Sequence, residues 1–246
     1  MSFPSPPDDI PWLTTEQMIE VDRAMVEDYG ILLIQMMENA GRSLAHLARA
    51  RFLDGDPRGR SVVVLAGTGG NGGGALVCAR RLHDWGARVR VVLTAPDDRF
   101  TPVPAHQLRI LRKMGVGIHG AAELGAALDA ELIVDGVIGY SLKGAPHGDA
   151  RRVLEWAGGH PAPVLSLDAP SGVDATTGTI YEPAIRAAAT LTLALPKRGL
   201  RGEAVAALVG ELYLADISVP PGLYAGPALG LEVGALFAEG DIVRLV

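Results

Sequence analysis

The sequence predicts an α/β fold in which helices cover both faces of a mostly parallel sheet. Two observations support this prediction. Short apolar segments rich in β-branched residues alternate with longer segments of helical periodicity through the middle of the chain, and this alternation is typical of parallel sheets. In addition, polar residues and glycines directly follow several of the strand-like segments, at the sheet edge where open α/β proteins bind their ligands.

The organisation is clearest in residues 61–82, SVVVLAGTGGNGGGALVCARRL. Ser61–Leu65 is short and valine-rich, which is typical of a strand that is buried on both faces. The glycine cluster 67–74 allows a sharp turn, and a helix is predicted to begin at about Ala75. The start of such a helix attracts anions through its free N–H groups and its dipole, so a phosphorylated or dinucleotide ligand is expected there.

The same turn contains the pattern GxGxxG at Gly67, Gly69 and Gly72. Nucleotide binding is favoured because a predicted strand precedes the pattern and a predicted helix follows it. The alternative at this point is a glycine-rich turn that only packs the helix against the strand.

The composition favours one large domain with a core of Ala, Val and Leu, since 48% of the 246 residues are hydrophobic and only 5% are aromatic. The net charge of −6 and the lack of a long basic run argue against nucleic acid as a partner. No apolar run reaches the ~18 residues of a membrane span and the N-terminus has no signal-peptide pattern, so a cytoplasmic protein without membrane contact is predicted. The lone Cys78 is expected in the core.

Residues 1–12 hold four prolines and are predicted to form an extended arm, whereas 13–246 are predicted to form a single domain. Thr14 or Thr15 is expected to cap the first helix of this domain. The remaining predicted helices lie at 13–31, about 32–53, 106–114 and from about 149. Strands are predicted at 87–95, 116–119, 132–134, 164–167 and 211–220, and within 189–200, where the strand ends in Lys197. The tail is expected to add a last strand or an arm.

Two further segments place polar residues at the ends of predicted strands. In ELIVDGVIGYSLKGAPHG, Asp135 ends a strand and precedes a loop, 139–148, that contains Lys143. In PVLSLDAPSG, Asp168 ends a strand and Ser171 lies in the turn that follows. Each residue on its own could be a cap or a turn residue.

Five polar residues from separate segments thus lie at or just beyond the carboxyl ends of predicted strands: Asn71, Asp135, Asp168, Ser171 and Lys197. Because the carboxyl ends of parallel strands share one edge of the sheet, we expect these side chains to converge. Their coincidence predicts a binding or catalytic site at that edge.

These motifs, together with LTTEQM, the position of Asp22 and MMENAG near the N-terminus, resemble those of the NAD(P)H-hydrate epimerase family, also called the YjeF N-terminal domain. The resemblance runs from about Leu13 to Pro220. It implies a Rossmann-like three-layer α/β/α sandwich that is commonly a homodimer. The implied activity is that of an isomerase that interconverts the 6R and 6S hydrates of NADH and NADPH, a repair of nicotinamide nucleotides, with a separate dehydratase as a partner in the same pathway.

Carried over residue by residue, the resemblance implies a potassium ion as cofactor, with oxygen ligands from Asn71 of GNGGG, Asp135 of VDGVIG and Ser171 of DAPSG. Asp168 matches the acid that contacts the substrate, and Lys197 matches the lysine of the family's PK segment. The other implied substrate-binding positions are Gly70, Asn71, Gly72, Gly73 and Gly74 in the first loop, and Gly139, Tyr140, Ser141, Leu142, Lys143, Gly144 and Ala145 in the second.

The chain departs from the family pattern in the first loop, where Gly70 and Gly74 stand in place of an Asn and an Asp. Loss of the carboxylate does not weaken anion binding, but it removes a hydrogen-bond acceptor. One alternative is therefore a catalytically impaired member of the same fold that binds nucleotides or regulates. A dehydrogenase that uses the GxGxxG pattern is a second alternative.

In an active epimerase, we expect Asp168 to transfer the proton of the substrate hydroxyl. Lys143 or Lys197 is expected to orient water or phosphate. Asp135, bound to potassium, is expected to stabilise the structure of the site. For each lysine, a solvated side chain or a salt bridge is the alternative.

Overall fold

One eight-stranded sheet forms the centre of the protein in a computed structural model that describes residues 3–6, 9–125 and 128–246. Its strands are β1 (Ser61–Ala66), β2 (Arg88–Leu93), β3 (Gly117–Gly120), β4 (Leu132–Gly136), β5 (Val164–Leu167), β6 (Ala189–Leu193), β7 (Glu211–Ala215) and β8 (Ile242–Arg244). Their spatial order is β3, β2, β1, β4, β5, β6, β7, β8. All neighbours pair in parallel except β7 and β8, which confirms the mostly parallel sheet.

The strand order reverses at the centre of the sheet. From β1 the chain moves outward to β2 and β3, and it then returns to place β4 on the other side of β1. These two strands are parallel neighbours, with Leu65 beside Asp135. The connections that leave two such strands diverge, and the crevice between them is where open α/β sheets bind ligands. The reversal therefore places the expected site beyond the carboxyl ends of β1 and β4.

Helices cover both faces of this sheet, as predicted. They are α1 (Thr15–Glu27), α2 (Leu33–Phe52), α3 (Gly70–Asp84), α4 (Pro102–Lys113), α5 (Gly148–Gly159), α6 (Glu203–Val209) and α7 (Pro221–Ala225). Apolar side chains of α2, α3 and α4 pack with Val62 and Val64 on one face, whereas those of α5 pack with Val63 and Leu65 on the other. Burial on both faces explains the continuous apolar sequence of β1.

The start of α3 differs from its predicted position. The helix begins at Gly70, with Gly69 as its N-cap, and not at about Ala75. Most of the glycine cluster is therefore the first turn of the helix and not a loop before it. Cys78, in the middle of α3, is fully buried as expected, and burial raises the pKa of its thiol.

Two strands are shorter than predicted. β6 ends at Leu193 because Ala194 adopts a φ of +63°, which is incompatible with a strand. Lys197 thus lies in the connection after β6 and not at the end of the strand. β7 ends at Ala215, and the chain turns away through Ser218, which has a φ of +73°.

The beginning of the domain is fixed by local and distant contacts. Thr14 caps α1 as predicted: its hydroxyl accepts from the N–H of Gln17 at 3.2 Å, and the Gln17 side chain accepts from the N–H of Thr14 at 3.0 Å. Leu13 is fully buried and forms an isolated parallel bridge with Lys197. The start of the chain's first helix is therefore tied to the connection after β6.

The arm predicted for residues 1–12 is only partly described. Residues 3–6 and 9–12 contain no helix or strand, and residues 1–2 and 7–8 lie outside the described residues. The N–H of Arg244 donates to the carbonyl of Pro4 at 2.8 Å, and Phe3 packs edge-on against Tyr213. This first segment therefore lies along β8, which is the last strand expected in the tail.

Glycines let the turn after β1 and the connection after β4 approach each other. A Cβ atom on Gly72 would lie 1.8 Å from the carbonyl oxygen of Gly67, and one on Gly67 would lie 2.0 Å from the carbonyl oxygen of Val137. No larger residue fits between these backbone atoms without a shift. The glycines thus have a packing role besides exposing N–H groups.

An ion-pair network holds the helices around this turn. Glu38 on α2 accepts from Arg80 on α3 at 2.8 and 2.6 Å and from Gln107 on α4 at 3.0 Å. Arg80 donates to Gln107 in turn at 2.9 Å. Three helices are thereby joined next to the glycine turn. None of the helices in the described residues combines the length and apolar character needed to cross a bilayer.

The glycine contacts predict a selective effect of added methyl groups. Gly72→Ala should destabilise the protein by about 1–3 kcal/mol, because the new Cβ collides with rigid backbone. Gly70→Ala is the matched control: a Cβ atom at this position would have no other atom within 4 Å, and stability should stay equal or rise slightly. Urea unfolding of both variants measures the difference. Equal stability of the two would contradict the proposed packing role.

Candidate functional site

A cavity of about 150 Å³ lies at the carboxyl edge of the sheet, beside the start of α3. The residues with polar side chains and the glycines that line it are Asp22, Gly70, Asn71, Gly139, Tyr140, Ser141 and Asp168. Apolar residues complete the wall: Met18, Leu33, Met36, Met37, Ala40, Leu167, Leu193 and Ile217. The cavity is smaller than the roughly 300–1,000 Å³ of typical ligand pockets. It therefore has room for a ring-sized part of a dinucleotide, whose remainder would extend outside.

A buried ion pair sets the charge of this site. The Lys197 ammonium lies 2.6 Å from Asp168 Oδ1, and the two side chains are 0% and 4% exposed. Lys197 also donates to the carbonyl of Leu193 at 2.7 Å and to the hydroxyl of Thr192 at 3.3 Å. Close contact and complete hydrogen bonding are what make a buried ion pair tolerable. Of the interpretations left open for this lysine, the structure shows the salt bridge.

The backbone of Asp168 helps to fix its carboxylate. The residue adopts a φ of +67°, a conformation that aspartate tolerates better than most residues. Its N–H donates to the carbonyl of Leu191 at 2.7 Å. While Oδ1 faces Lys197, Oδ2 accepts from the N–H of Tyr140 at 2.9 Å. Both oxygens are therefore held in place at the wall of the cavity.

Asp135 is a second buried carboxylate, and its partners are all neutral. Oδ1 accepts from the hydroxyl of Ser171 at 2.6 Å and from the N–H of Val137 at 3.2 Å. Oδ2 accepts from the hydroxyl of Ser166 and from the N–H of Ser171, both at 2.9 Å. Burial raises the pKa of Asp135, and these hydrogen bonds offset the effect only in part. The predicted proximity of Asp135 and Ser171 is present.

Gly139 brings the first turn of α3 close to Asp168. A Cβ atom on Gly139 would lie 3.0 Å from Asn71 Oδ1 and 3.0 Å from Asp168 Oδ2. A side chain at this position would make tight contacts with both groups and would require them to shift. Asn71 is therefore adjacent to the ion pair, as its position after β1 predicts.

The donor set around Asp135 suits an oxygen-binding cation. The buried Asn71 Nδ2 has no hydrogen-bond partner, so one end of this amide is free to take a ligand once its oxygen and nitrogen are exchanged. Burial is the largest influence on the Asp135 pKa, and no basic side chain is among the influences on it. Among the described residues, no group of three or more His, Cys, Asp or Glu is placed to hold a metal ion. Amide, hydroxyl and carboxylate oxygens are donors for a hard cation such as potassium.

Tyr140 connects the two walls of the cavity. Its N–H donates to Asp168, and its hydroxyl donates to Asp22 Oδ2 on α1 at 2.5 Å. Asp22 is partly buried, and burial raises its pKa despite this hydrogen bond. Burial likewise raises the pKa of the Tyr140 hydroxyl above its usual range. Two carboxyl groups thus face one small cavity.

The other residues predicted to bind substrate do not all line the cavity. Of the first loop, only Gly70 and Asn71 line the cavity, whereas Gly72, Gly73 and Gly74 are buried in the first turn of α3. Of the second loop, Gly139, Tyr140 and Ser141 line it. The rest of that loop follows the lining residues: Leu142 and Gly144 are partly buried, and Lys143 and Ala145 are exposed. Lys143, predicted as a catalytic group, is not part of the cavity wall.

Asp22 is not among the site residues that the sequence predicts, although its position is part of the family resemblance and the sequence contains a further signal for it. Met18, Val21 and Met25 form the buried stripe of α1, and Asp22 lies one helical turn after Met18. A carboxyl group beside an apolar stripe needs a partner or a function. The partner, Tyr140, is 118 residues away, so local periodicity gives no indication of it.

Comparisons with known proteins agree with this arrangement. Residues 33–199 match the family model described as "YjeF-related protein N-terminus". The chain is 41% identical, over 95% of its length and 92% of the relative's, to a protein of Dehalogenimonas lykanthroporepellens named NAD(P)H-hydrate epimerase. A protein of Rhodopirellula baltica with the same name is 32% identical over 86% of each chain.

Other relatives are longer, and the chain is also similar to a protein of known crystal structure. The bifunctional NAD(P)H-hydrate repair enzyme Nnr of Salinibacter ruber is 37% identical over 86% of this chain, which spans only 41% of that enzyme. The crystal structure of yeast ynu0, YNL200c, superimposes with a TM-score of 0.80 at 25% identity and covers 96% of this chain and 100% of its own.

The buried ion pair predicts a large cost for removing one partner. Lys197→Met keeps the length of the side chain but leaves the Asp168 carboxylate buried without a counter-charge, so the free energy of unfolding should fall by about 3–5 kcal/mol. Adding Asp168→Asn to this variant should restore part of the loss. Chemical unfolding of the single and double variants measures both effects.

A matched control is Arg151→Met, which removes an exposed ion pair with Glu155 and should change stability far less. A loss for Lys197→Met as small as the loss for this control would contradict the importance of the buried pair.

Proposed function

Because this chain belongs to the family of YjeF-related protein N-termini, we propose that it is an isomerase that interconverts the 6R and 6S hydrates of NADH or NADPH. The relatives that match nearly their full length carry the epimerase name. The structural observation that carries the proposal is the fixed Asp168 carboxylate in the wall of the cavity, beside the N-terminus of α3.

Epimerisation requires two things of the protein: a group that transfers a proton and a negative charge near the ring. In the hydrate, carbon 6 of the nicotinamide ring carries a hydroxyl group next to the ring nitrogen. The nitrogen lone pair expels this group as water, and the flat cation that results accepts water from either face. A group that moves a proton and a nearby negative charge both favour this path.

Asp168 fits both needs. Its carboxylate is negative, is held by Lys197 and by the N–H of Tyr140, and lies in the cavity wall. We assign it the proton transfer at the water that enters or leaves. Lys197 is assigned to holding this carboxylate, since its ammonium donates to Asp168 and the neighbouring backbone.

Potassium is proposed as the cofactor, with Asn71, Asp135 and Ser171 as its ligands. The Asp135 carboxylate lacks a basic partner and the Asn71 amide has a buried atom without a partner, which supports this ligand set. A bound cation would supply a fixed positive charge that neutralises Asp135. The chain's own part is to hold Asn71, on α3, beside the segments that carry the other two ligands.

The rival functions are less well supported. The relatives named epimerases give no support to an impaired member. Packing accounts for the glycine that stands at position 74 in place of the family's Asp, because a Cβ there would lie 2.7 Å from Leu167 Cδ2. Leu167 thus fills space that a larger residue at 74 would need. Nothing in the comparisons favours a dehydrogenase. The homodimer and the separate dehydratase implied by the resemblance stay predictions, as does the preference between NADH and NADPH hydrates.

Asp168→Asn should slow epimerisation by about 10²–10⁴-fold, since it removes the proton-accepting group. The measurement follows one pure epimer by NMR until the two forms equilibrate. Asp56→Asn, which alters an exposed ion pair with Arg58, serves as the control and should keep the wild-type rate. An Asp168→Asn enzyme with unchanged rate would remove Asp168 from the chemistry.

Potassium should stabilise the folded protein by an amount that rises with the logarithm of its concentration once that concentration exceeds the dissociation constant. At 100 times its dissociation constant the gain is about 2.7 kcal/mol, or roughly 5–11 °C in Tm for a chain of this size. Thermal unfolding in potassium chloride and in tetramethylammonium chloride at equal ionic strength measures it. Asn71→Ala should lose most of the gain, whereas Asp56→Asn should keep it. Equal Tm values in both salts would argue against the site.

A further inference from the structure

The cavity holds a second carboxyl group whose role the proposed function leaves open. Asp22 lies on α1, outside residues 33–199 that match the family model, and it lines the same cavity as Asp168. The two groups come from elements far apart in the sequence. Burying a carboxyl group costs free energy of desolvation. A role in ligand binding or proton transfer would explain why such a group is present at this cavity.

The surroundings of the two carboxyl groups differ. Asp168 contacts the ammonium of Lys197, whereas the hydrogen-bond partner of Asp22 is the neutral hydroxyl of Tyr140. Burial raises the pKa of Asp22, and the negative charge of Asp168 raises it further. The hydrogen bond from Tyr140 and the positive charge of Lys197 lower it, but they do not cancel the rise. From α7, the buried hydroxyl of Tyr224 also faces Asp22. Asp22 thus holds its proton to higher pH than an ordinary aspartate.

Two carboxyl groups in contrasting environments are a common basis for dividing acid and base roles in one site. Here Tyr140 joins them physically, because its N–H donates to Asp168 at 2.9 Å and its hydroxyl to Asp22 at 2.5 Å. A movement of this residue would affect both groups. The connection after β4 therefore links the carboxyl group of α1 to the carboxyl group that follows β5.

We propose that Asp22, assisted by the hydroxyl of Tyr140, is the proton donor to the departing hydroxyl group, and that Asp168 is the base that accepts a proton from the incoming water. This assignment rests on the epimerase function proposed above. The bond from carbon 6 to oxygen breaks as that oxygen takes the proton of Asp22 and leaves as water. A second water adds to the opposite face of the cation and gives a proton to Asp168. One proton is donated and one is accepted, and exchange with solvent restores both groups.

The test is the pH dependence of epimerisation in the full chain, starting from one pure epimer of NADH hydrate and subtracting the buffer reaction. With Asp22 as the acid, the wild-type rate falls as rising pH removes its proton. Asp22→Asn should be about 10²-fold slower or more, with KM nearly unchanged and this high-pH decline absent. Asp28→Asn, at the exposed end of the same helix, should keep the wild-type rate and profile.

Tyr140→Phe gives a second readout that does not depend on the folding of Asp22→Asn. The hydroxyl of Tyr140 lowers the pKa of Asp22, so its removal should move the high-pH decline to higher pH. An Asp22→Asn enzyme with the wild-type rate and profile, or a Tyr140→Phe enzyme with an unmoved decline, overturns the role of Asp22 while the function stands. A wild-type chain that leaves the epimer unchanged overturns the epimerase function and this assignment together.

Discussion

The contact between Asp168 and Lys197 is the interaction on which the site depends. Both side chains are almost completely buried, and neither charge is stable there without the other. The pair joins the end of β5 to the connection after β6. Through the bridge between Lys197 and Leu13, it also joins the segment that leads into α1. The position of the helix that carries Asp22 is thus linked to the charge of the site.

Backbone packing provides the second constraint. The reversal of strand order between β1 and β4 opens a crevice at the sheet edge, and glycines determine how narrow that crevice is. A side chain at Gly67 or Gly72 would collide with backbone, and one at Gly139 would make tight contacts with Asn71 and Asp168. Gly67 and Gly72 therefore allow close backbone packing at the start of α3, and Gly139 lets Asn71 approach Asp168.

The three aspartates of the site have different hydrogen-bond partners. Asp168 has a cation as its partner, Asp135 has four neutral hydrogen-bond donors, and Asp22 has a phenol. Three aspartates at one sheet edge are thereby given three different environments. Asp22 and Asp168 line the small cavity, whereas Asp135 is fully buried beside Ser171.

The sequence by itself determined the alternation of strands and helices, the parallel sheet and the location of Asn71, Asp135, Asp168 and Ser171 at one edge. It could do so because strand patterns are local and because the carboxyl ends of parallel strands share an edge. Resemblance in the motifs also identified the family, which the comparisons confirm.

Only the tertiary structure decided that α3 begins within the glycines, that Lys197 is buried against Asp168, and that Asp22 meets Tyr140. The last contact joins residues 118 positions apart, and burial of a lysine depends on what other segments pack over it. Such facts follow from the three-dimensional packing of the whole chain, and no local pattern of residue types encodes them.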